Sequence, residues 1–169
     1  MTKILIASKY EKVEGSLIFL AGSIQGAKNW QEEAIKIISE LKNLKINVAS
    51  PRRNVSVEGD FTDEMYNEQV DWETFHLRRA AKKGVIMFWL AKESEHFHNR
   101  AYAQTSRFEL AEWKVRHAKE NVKLVIGIEK GFTGARYIRR RFSQDCPDVP
   151  ILDSLTETCK KAVELALES

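Results

Sequence analysis

Gly84-Val85-Ile86-Met87-Phe88-Trp89-Leu90-Ala91 decides the architecture. Lys82-Lys83 precede it, Lys92 follows it, and no charge interrupts it. A continuous apolar run of this length reads as a strand buried on both faces, as in a parallel sheet covered by helices. Upstream, Ser16-Leu17-Ile18-Phe19-Leu20-Ala21-Gly22-Ser23 has the same character and ends in a small-residue turn. Asn29 can cap a helix whose apolar positions Trp30, Ala34, Ile37, Ile38 and Leu41 follow a 3.6-residue period. Ile46 to Ser50 is a second strand, stopped by Pro51. A polar loop to Asp60 and a helix from about Asp63 to Lys83 lead into the quoted stretch.

Downstream, a polar loop from Lys92 to Ala101 leads into another helix. Lys123 to Ile128 is the fourth strand, and Gly131-Phe132-Thr133-Gly134 opens a basic helix, Ala135 to Gln144. Val149 to Leu152 is a short fifth strand. Ser154 with Glu157 forms a capping box for a last helix to Leu167. The alternation predicts an α/β fold with a five-stranded parallel sheet and helices on both faces. Residues 1–15 read as an N-terminal extension in which Ile4-Leu5-Ile6-Ala7 could form a short edge strand, and 16–169 as a single domain.

Composition narrows the function classes. The 169 residues are 43% hydrophobic and 30% charged, an ordinary soluble balance. No run approaches the ~20 apolar residues of a membrane span. A net charge of +3 is too weak to read as a nucleic-acid footprint. Cys146 and Cys159 form no CxxC motif, so a reducing cytoplasm is expected. His96-Phe97-His98 reads as a solvated loop and not a metal site. Arg136 and Arg139-Arg140-Arg141 read as a solvated helix face, with an oligomer contact or anion site as the alternative.

Loops at the carboxyl ends of parallel strands gather into one rim, where α/β proteins bind ligands. The helix after the third strand, Ala101-Tyr102-Ala103-Gln104-Thr105-Ser106-Arg107-Phe108-Glu109-Leu110-Ala111-Glu112-Trp113, places a carboxylate near that rim. Phe108, Ala111, Val115 and Ala118 recur at three and four residues and are expected to be its buried stripe. Thr105, Glu109, Glu112 and Arg116 form the polar stripe beside it. Neither GxGxxG, a Walker motif nor GxSxG is present. Carboxylates remain: Glu109, and Asp71 and Glu73 on the preceding helix.

Ile18-Phe19-Leu20-Ala21-Gly22-Ser23-Ile24, Asp71-Trp72-Glu73, Phe88-Trp89-Leu90 and Thr105 to Trp113 together resemble the nucleoside 2-deoxyribosyltransferase superfamily, especially its nucleoside 2-deoxyribosyltransferase-like branch. The resemblance extends over roughly residues 17–165, with Phe-Glu-Leu-Ala-Glu-Trp its most specific piece. It implies a flavodoxin-like three-layer sandwich that cleaves the N-glycosidic bond of deoxynucleosides. Glu109 stands at the position of the family's nucleophile. Gly22, Ser23 and Ile24 would line the sugar or base site, and Glu73 and Asp71 would contact hydroxyls or move protons. Arg52 and Arg107 would hold a phosphate if the substrate is a nucleotide. No cofactor is implied. The partners implied are a nucleoside or nucleotide, a free base and further copies of the chain, with no nucleic-acid polymer and no membrane.

The chain departs from the family pattern in three places, one of them a loop between the third strand and Glu109 that is longer than in the compact transferases. Ala80-Ala81-Lys82-Lys83-Gly84 lacks the acid usual before the third strand. The second family acid falls on Glu73 when Trp72 is matched, and on His76 when residues are counted back without gaps. The rival readings are an N-glycoside hydrolase and a non-catalytic nucleotide-binding module, the second favoured by the missing acid.

Overall fold

A computed structural model describes residues 2–41, 46–53 and 62–168. The polar loop expected between Asn54 and Asp60 lies outside these residues. The elements in chain order are β1 (Ile4–Ile6), β2 (Ser16–Ala21), α1 (Trp30–Glu40), β3 (Ile46–Ser50), α2 (Asp63–Lys82), β4 (Gly84–Leu90), α3 (Gln104–Glu120), β5 (Leu124–Ile128), α4 (Ala135–Asp145), β6 (Ile151–Leu152) and α5 (Leu155–Leu167).

Every pairing is parallel, and the sheet runs β1-β3-β2-β4-β5-β6. Among the described residues the sheet therefore has six strands, not five. The sixth is Ile4–Ile6, which pairs in register with Val48, Ala49 and Ser50 at the edge. Three residues bounded by polar chain give too short a period to define a strand before its partner is known. Without β1, the order is the flavodoxin-like one, and the chain reverses direction across the sheet between β2 and β4.

Alternate residues of each strand feed two cores. Leu17, Phe19, Ile86, Phe88, Leu124 and Ile126 face Trp72 and Leu77 of α2, Leu110 and Trp113 of α3, and Phe142 of α4. Ile18, Leu20, Val85, Met87, Trp89 and Val125 face Trp30, Ala34 and Ile38 of α1 and Cys159, Ala162 and Ala166 of α5. Side-chain alternation in a strand makes this division unavoidable. Asn29 accepts from the Glu32 amide to cap α1, and Ser154 accepts from the Glu157 amide to cap α5. Both cysteines are free and buried. Among the described residues no helix is long and apolar enough to cross a membrane.

The orientation of α3 corrects the sequence expectation. Its buried stripe is Ala103, Ser106, Leu110 and Trp113. Phe108 is 75% exposed and Val115 50% exposed, and Ala111 and Ala118 also face outward. Both sets satisfy the three-and-four spacing. The α3 face that packs on the sheet carries Leu110 and Trp113, which join the core with Trp72, Ile126 and Phe142.

Candidate active site

Four chain segments meet at the carboxyl ends of β2, β3 and β4. The first is the turn after β2. Gly22 adopts φ +146°, and a Cβ there would overlap the Trp89 carbonyl oxygen and crowd the Trp30 ring. Only glycine lets this turn pass the end of β4. The turn is then fastened: Trp30 Nε1 donates to the Ser23 carbonyl at 2.9 Å, and the Ser23 and Ser106 hydroxyls lie 3.5 Å apart. The second segment, Pro51-Arg52-Arg53, leaves β3. The third is the first half of α2. The fourth is the loop into α3 and the first turns of that helix.

Together they enclose a cavity of about 650 Å³, within the roughly 300–1,000 Å³ range of small-molecule sites. Phe19 and Ala21 of β2 form part of its wall, with Gly22, Ser23, Ile24 and Gln25 beside them. Arg52, Arg53 and Arg100 bring guanidinium groups, and Glu73 and Glu109 bring carboxyls. The cavity sits at the crevice where strand order reverses, which is where this sheet topology places ligands.

The two carboxyls come from different helices and interact. Glu109 has its pKa pushed up to about 8, by burial first and then by the neighbouring Glu73 and Glu112 carboxylates. Burial also raises Glu73, offset by a hydrogen bond from Gln69. Gln69 Nε2 donates to Glu73 Oε1 at 2.7 Å and to the Pro51 carbonyl at 2.8 Å, while its Oε1 accepts from Arg53 Nε at 3.0 Å. One amide thus fixes Glu73 to the end of β3. At neutral pH the Glu73–Glu109 pair holds a proton, because two desolvated like charges side by side are costly.

Of the site residues expected from sequence, Glu109, Glu73, Gly22, Ser23, Ile24 and Arg52 all line this cavity. Asp71 and Arg107 do not. Asp71 is exposed on α2, since two residues along a helix turn a side chain away from its neighbour. Arg107 lies with its guanidinium carbon 4.5 Å from the Phe132 ring centroid, and it donates to the Thr133 carbonyl at 2.6 Å. It anchors the loop before α4. Between the two register choices, Glu73 faces the cavity, whereas His76 is fully buried against Trp72, Phe75 and Tyr10. Its Nδ1 lies 2.8 Å from the Trp72 carbonyl, and burial lowers its pKa.

Sequence reasoning passed over Tyr66, Gln69 and Val70, which line the cavity with Glu73. Their spacing to Glu73 (seven, four and three residues) is a one-face helical pattern that could have found them. Arg53 and Arg100 carry no periodic signal, because they stand in loops.

The missing acid also takes on a different meaning. Lys82-Lys83-Gly84 lies at the amino end of β4, whereas the cavity is at the carboxyl end. Seven residues of strand separate the two by about 20 Å. An acid at that step would not reach Glu109 through the sheet.

Among the described residues no group of three or more His, Cys, Asp and Glu is arranged to hold a metal ion. Residues 15–132 match the family described as nucleoside 2-deoxyribosyltransferase like, a span that contains every residue of the cavity. No curated protein matches the chain.

Proposed function

The chain belongs to the nucleoside 2-deoxyribosyltransferase-like family, and from that membership we propose that it cleaves the N-glycosidic bond of a deoxynucleoside or nucleotide with Glu109 as nucleophile. One observation carries the reading: Glu109 and Glu73, on separate helices, line one cavity at the strand-order reversal, where burial and the Glu73 charge raise the pKa of Glu109.

The chemistry follows from that pair. With the pair's proton transferred to Glu73, Glu109 attacks C1′ as a carboxylate, forming a C–O bond as the C1′–N bond breaks. The bonding electrons leave with the base, which takes a proton from Glu73. A second base, or water, then attacks C1′ from the opposite side. Glu109 departs as a carboxylate, the acceptor's proton returns to Glu73, and the sugar keeps its configuration. A deoxyribose suits this route, because no electron-withdrawing 2′-hydroxyl opposes the oxocarbenium-like transition state. Gln69 holds Glu73 in place through each half-reaction. Gly22, Ser23 and Ile24 would contact the sugar or base.

The test is incubation with a panel of deoxynucleosides and their 5′-monophosphates, with and without a free base. Exchange of the base supports a transferase, and free base released without an acceptor supports a hydrolase. If wild-type protein does neither, or if Glu109→Ala retains the activity, the reading fails. A homo-oligomer is part of the proposal. Exposed Phe108 and Val115 on α3 and Tyr137 on α4 are the apolar side chains a second copy would cover, which light scattering with Phe108→Ser would test.

A further inference from the structure

The arginines at the outer surface and at the cavity differ in their partners. On the outer surface, Arg116 pairs with Glu112 and Glu120, Arg139 with Asp153, and Arg141 with Asp145. Such exposed pairs gain little, because water screens them well. At the cavity the pattern reverses. Arg52 is half-buried and held by neutral acceptors: Nε donates to Gln31 Oε1 at 2.9 Å, and Nη2 donates to the Ile24 carbonyl at 2.9 Å and the Lys28 carbonyl at 3.4 Å, leaving Nη1 for a ligand. Among the described residues no carboxylate pairs with it, and burial alone pulls its pKa below the ordinary arginine value. It remains charged, since a guanidinium does not lose its proton in proteins. Arg100, in the loop before α3, also lines the cavity, and among the described residues its guanidinium has no hydrogen bond or ion pair.

A half-buried cation without a counter-ion is an expensive arrangement. Here it is also fixed in orientation, so it was not left to wander toward solvent. The cavity's own carboxyls do not neutralise it. Neither Glu73 nor Glu109 forms an ion pair with a cavity arginine among the described residues. Among the described residues, Arg52 and Arg100 therefore offer the cavity positive charge without a paired carboxylate, opposite the Glu73 and Glu109 carboxyls. A neutral sugar and base bring no charge to these cations, whereas a phosphate monoester does, meeting the Arg52 Nη1 not used by Gln31 or the backbone carbonyls and the Arg100 guanidinium.

We infer that this cavity selects a nucleoside 5′-monophosphate over the free nucleoside, with Arg52 and Arg100 as the residues that determine the preference. The inference rests on the glycosidase reading above for the identity of the nucleoside portion. It replaces Arg107, committed to Phe132 and Thr133, with Arg100 as the second phosphate ligand.

Binding, measured apart from turnover, separates this inference from the proposed reaction. Glu109→Ala protein is titrated calorimetrically with a 2′-deoxynucleoside, its 5′-monophosphate and inorganic phosphate. The monophosphate is expected to bind at least about tenfold more tightly than the nucleoside, an advantage that shrinks with added salt. Arg100→Gln and Arg52→Gln are each expected to cut that advantage several-fold. Arg100→Lys should restore part of it, as a point charge without the fork. Arg100 is exposed, so its variants report on charge even if Arg52→Gln disturbs the rim. Equal affinity for nucleoside and monophosphate, or an advantage that survives both glutamine variants, overturns the inference. So does inorganic phosphate binding as tightly as the monophosphate. If the monophosphate advantage holds but wild-type protein cleaves nothing, the specificity stands and the proposed reaction falls.

Discussion

On one face of the sheet, α1 and α5 start on side-chain caps and bury Trp30, Ala34, Ile38, Cys159, Ala162 and Ala166. On the other, α2 and α3 bury His76 and Ser106 and set Glu73 and Glu109 inward, and α3 begins at left-handed Ala103 without a side-chain cap. His76 Nε2, Arg79 Nε and Trp113 Nε1 are buried there without a partner among the described residues. Each such atom costs about 1–3 kcal/mol. The α1–α5 face has one comparable orphan among its helices, Gln31 Nε2, on the residue that holds Arg52 at the cavity rim. The contrast teaches where the protein concentrates its polar liabilities: in and around the layer that bears the cavity. Departures from a locally consistent design cluster at functional sites for this reason.

Substitutions can break or sharpen the contrast. The largest effect is expected from Glu109→Ala, which removes the attacking oxygen. Turnover should fall by at least about a thousandfold in steady-state base-release assays, while thermal stability holds or rises because a desolvated carboxyl is gone. Glu73→Gln should lower turnover by about 10²–10⁴-fold and abolish the pH limb that reports the general acid.

Ile38→Ala, on the α1 side, should do the reverse. It should cost about 2–5 kcal/mol in urea unfolding and leave the Glu109-dependent pH profile in place.

Stability and activity should both fall as pH rises through about 8. The pKa of Glu109 lies at about 8 in the folded protein, above its ordinary 4.5. The fold thus favours the protonated form. That contribution is complete below the unfolded value and is lost as pH rises through the folded one. Stability should fall by up to about 1.4 kcal/mol per pH unit in that window, and Glu109→Gln should flatten the slope. As pH rises through about 8, kcat/KM should fall as well, because losing the single proton of the Glu73–Glu109 pair leaves no acid for the departing base. Urea midpoints and initial rates measured across pH 5 to 9 would show both trends. The smallest effect belongs to Asp71→Asn, which should change turnover by less than about twofold, since Asp71 is exposed away from the cavity.

Much of the frame was legible in the residues. The runs at β2, β4 and β5 are apolar without interruption, and the caps at Asn29 and Ser154 are short-range chemistry that needs no partner strand. The rest depended on geometry that periodicity does not carry. The face of α3 was inverted because two stripes share one spacing, and only packing distinguishes Leu110 and Trp113 from Phe108 and Val115. Ile4–Ile6 becomes a strand only beside Val48 to Ser50. Arg107 and Arg100 are both basic residues near the rim, and nothing local says that Phe132 and Thr133 occupy the first. The absent acid before β4 suggested an incomplete site, until the strand's length put that position at the wrong end of the sheet.

The central claim is that Glu109 forms a bond to the sugar. Wild-type protein would be mixed with a cleavable deoxynucleoside or its monophosphate, quenched in acid within a turnover, and digested for mass spectrometry. One added deoxyribosyl group, with or without its phosphate, is expected on the peptide containing Glu109 and absent from Glu109→Gln. Turnover without any such adduct, or with the adduct on Glu73, would contradict it.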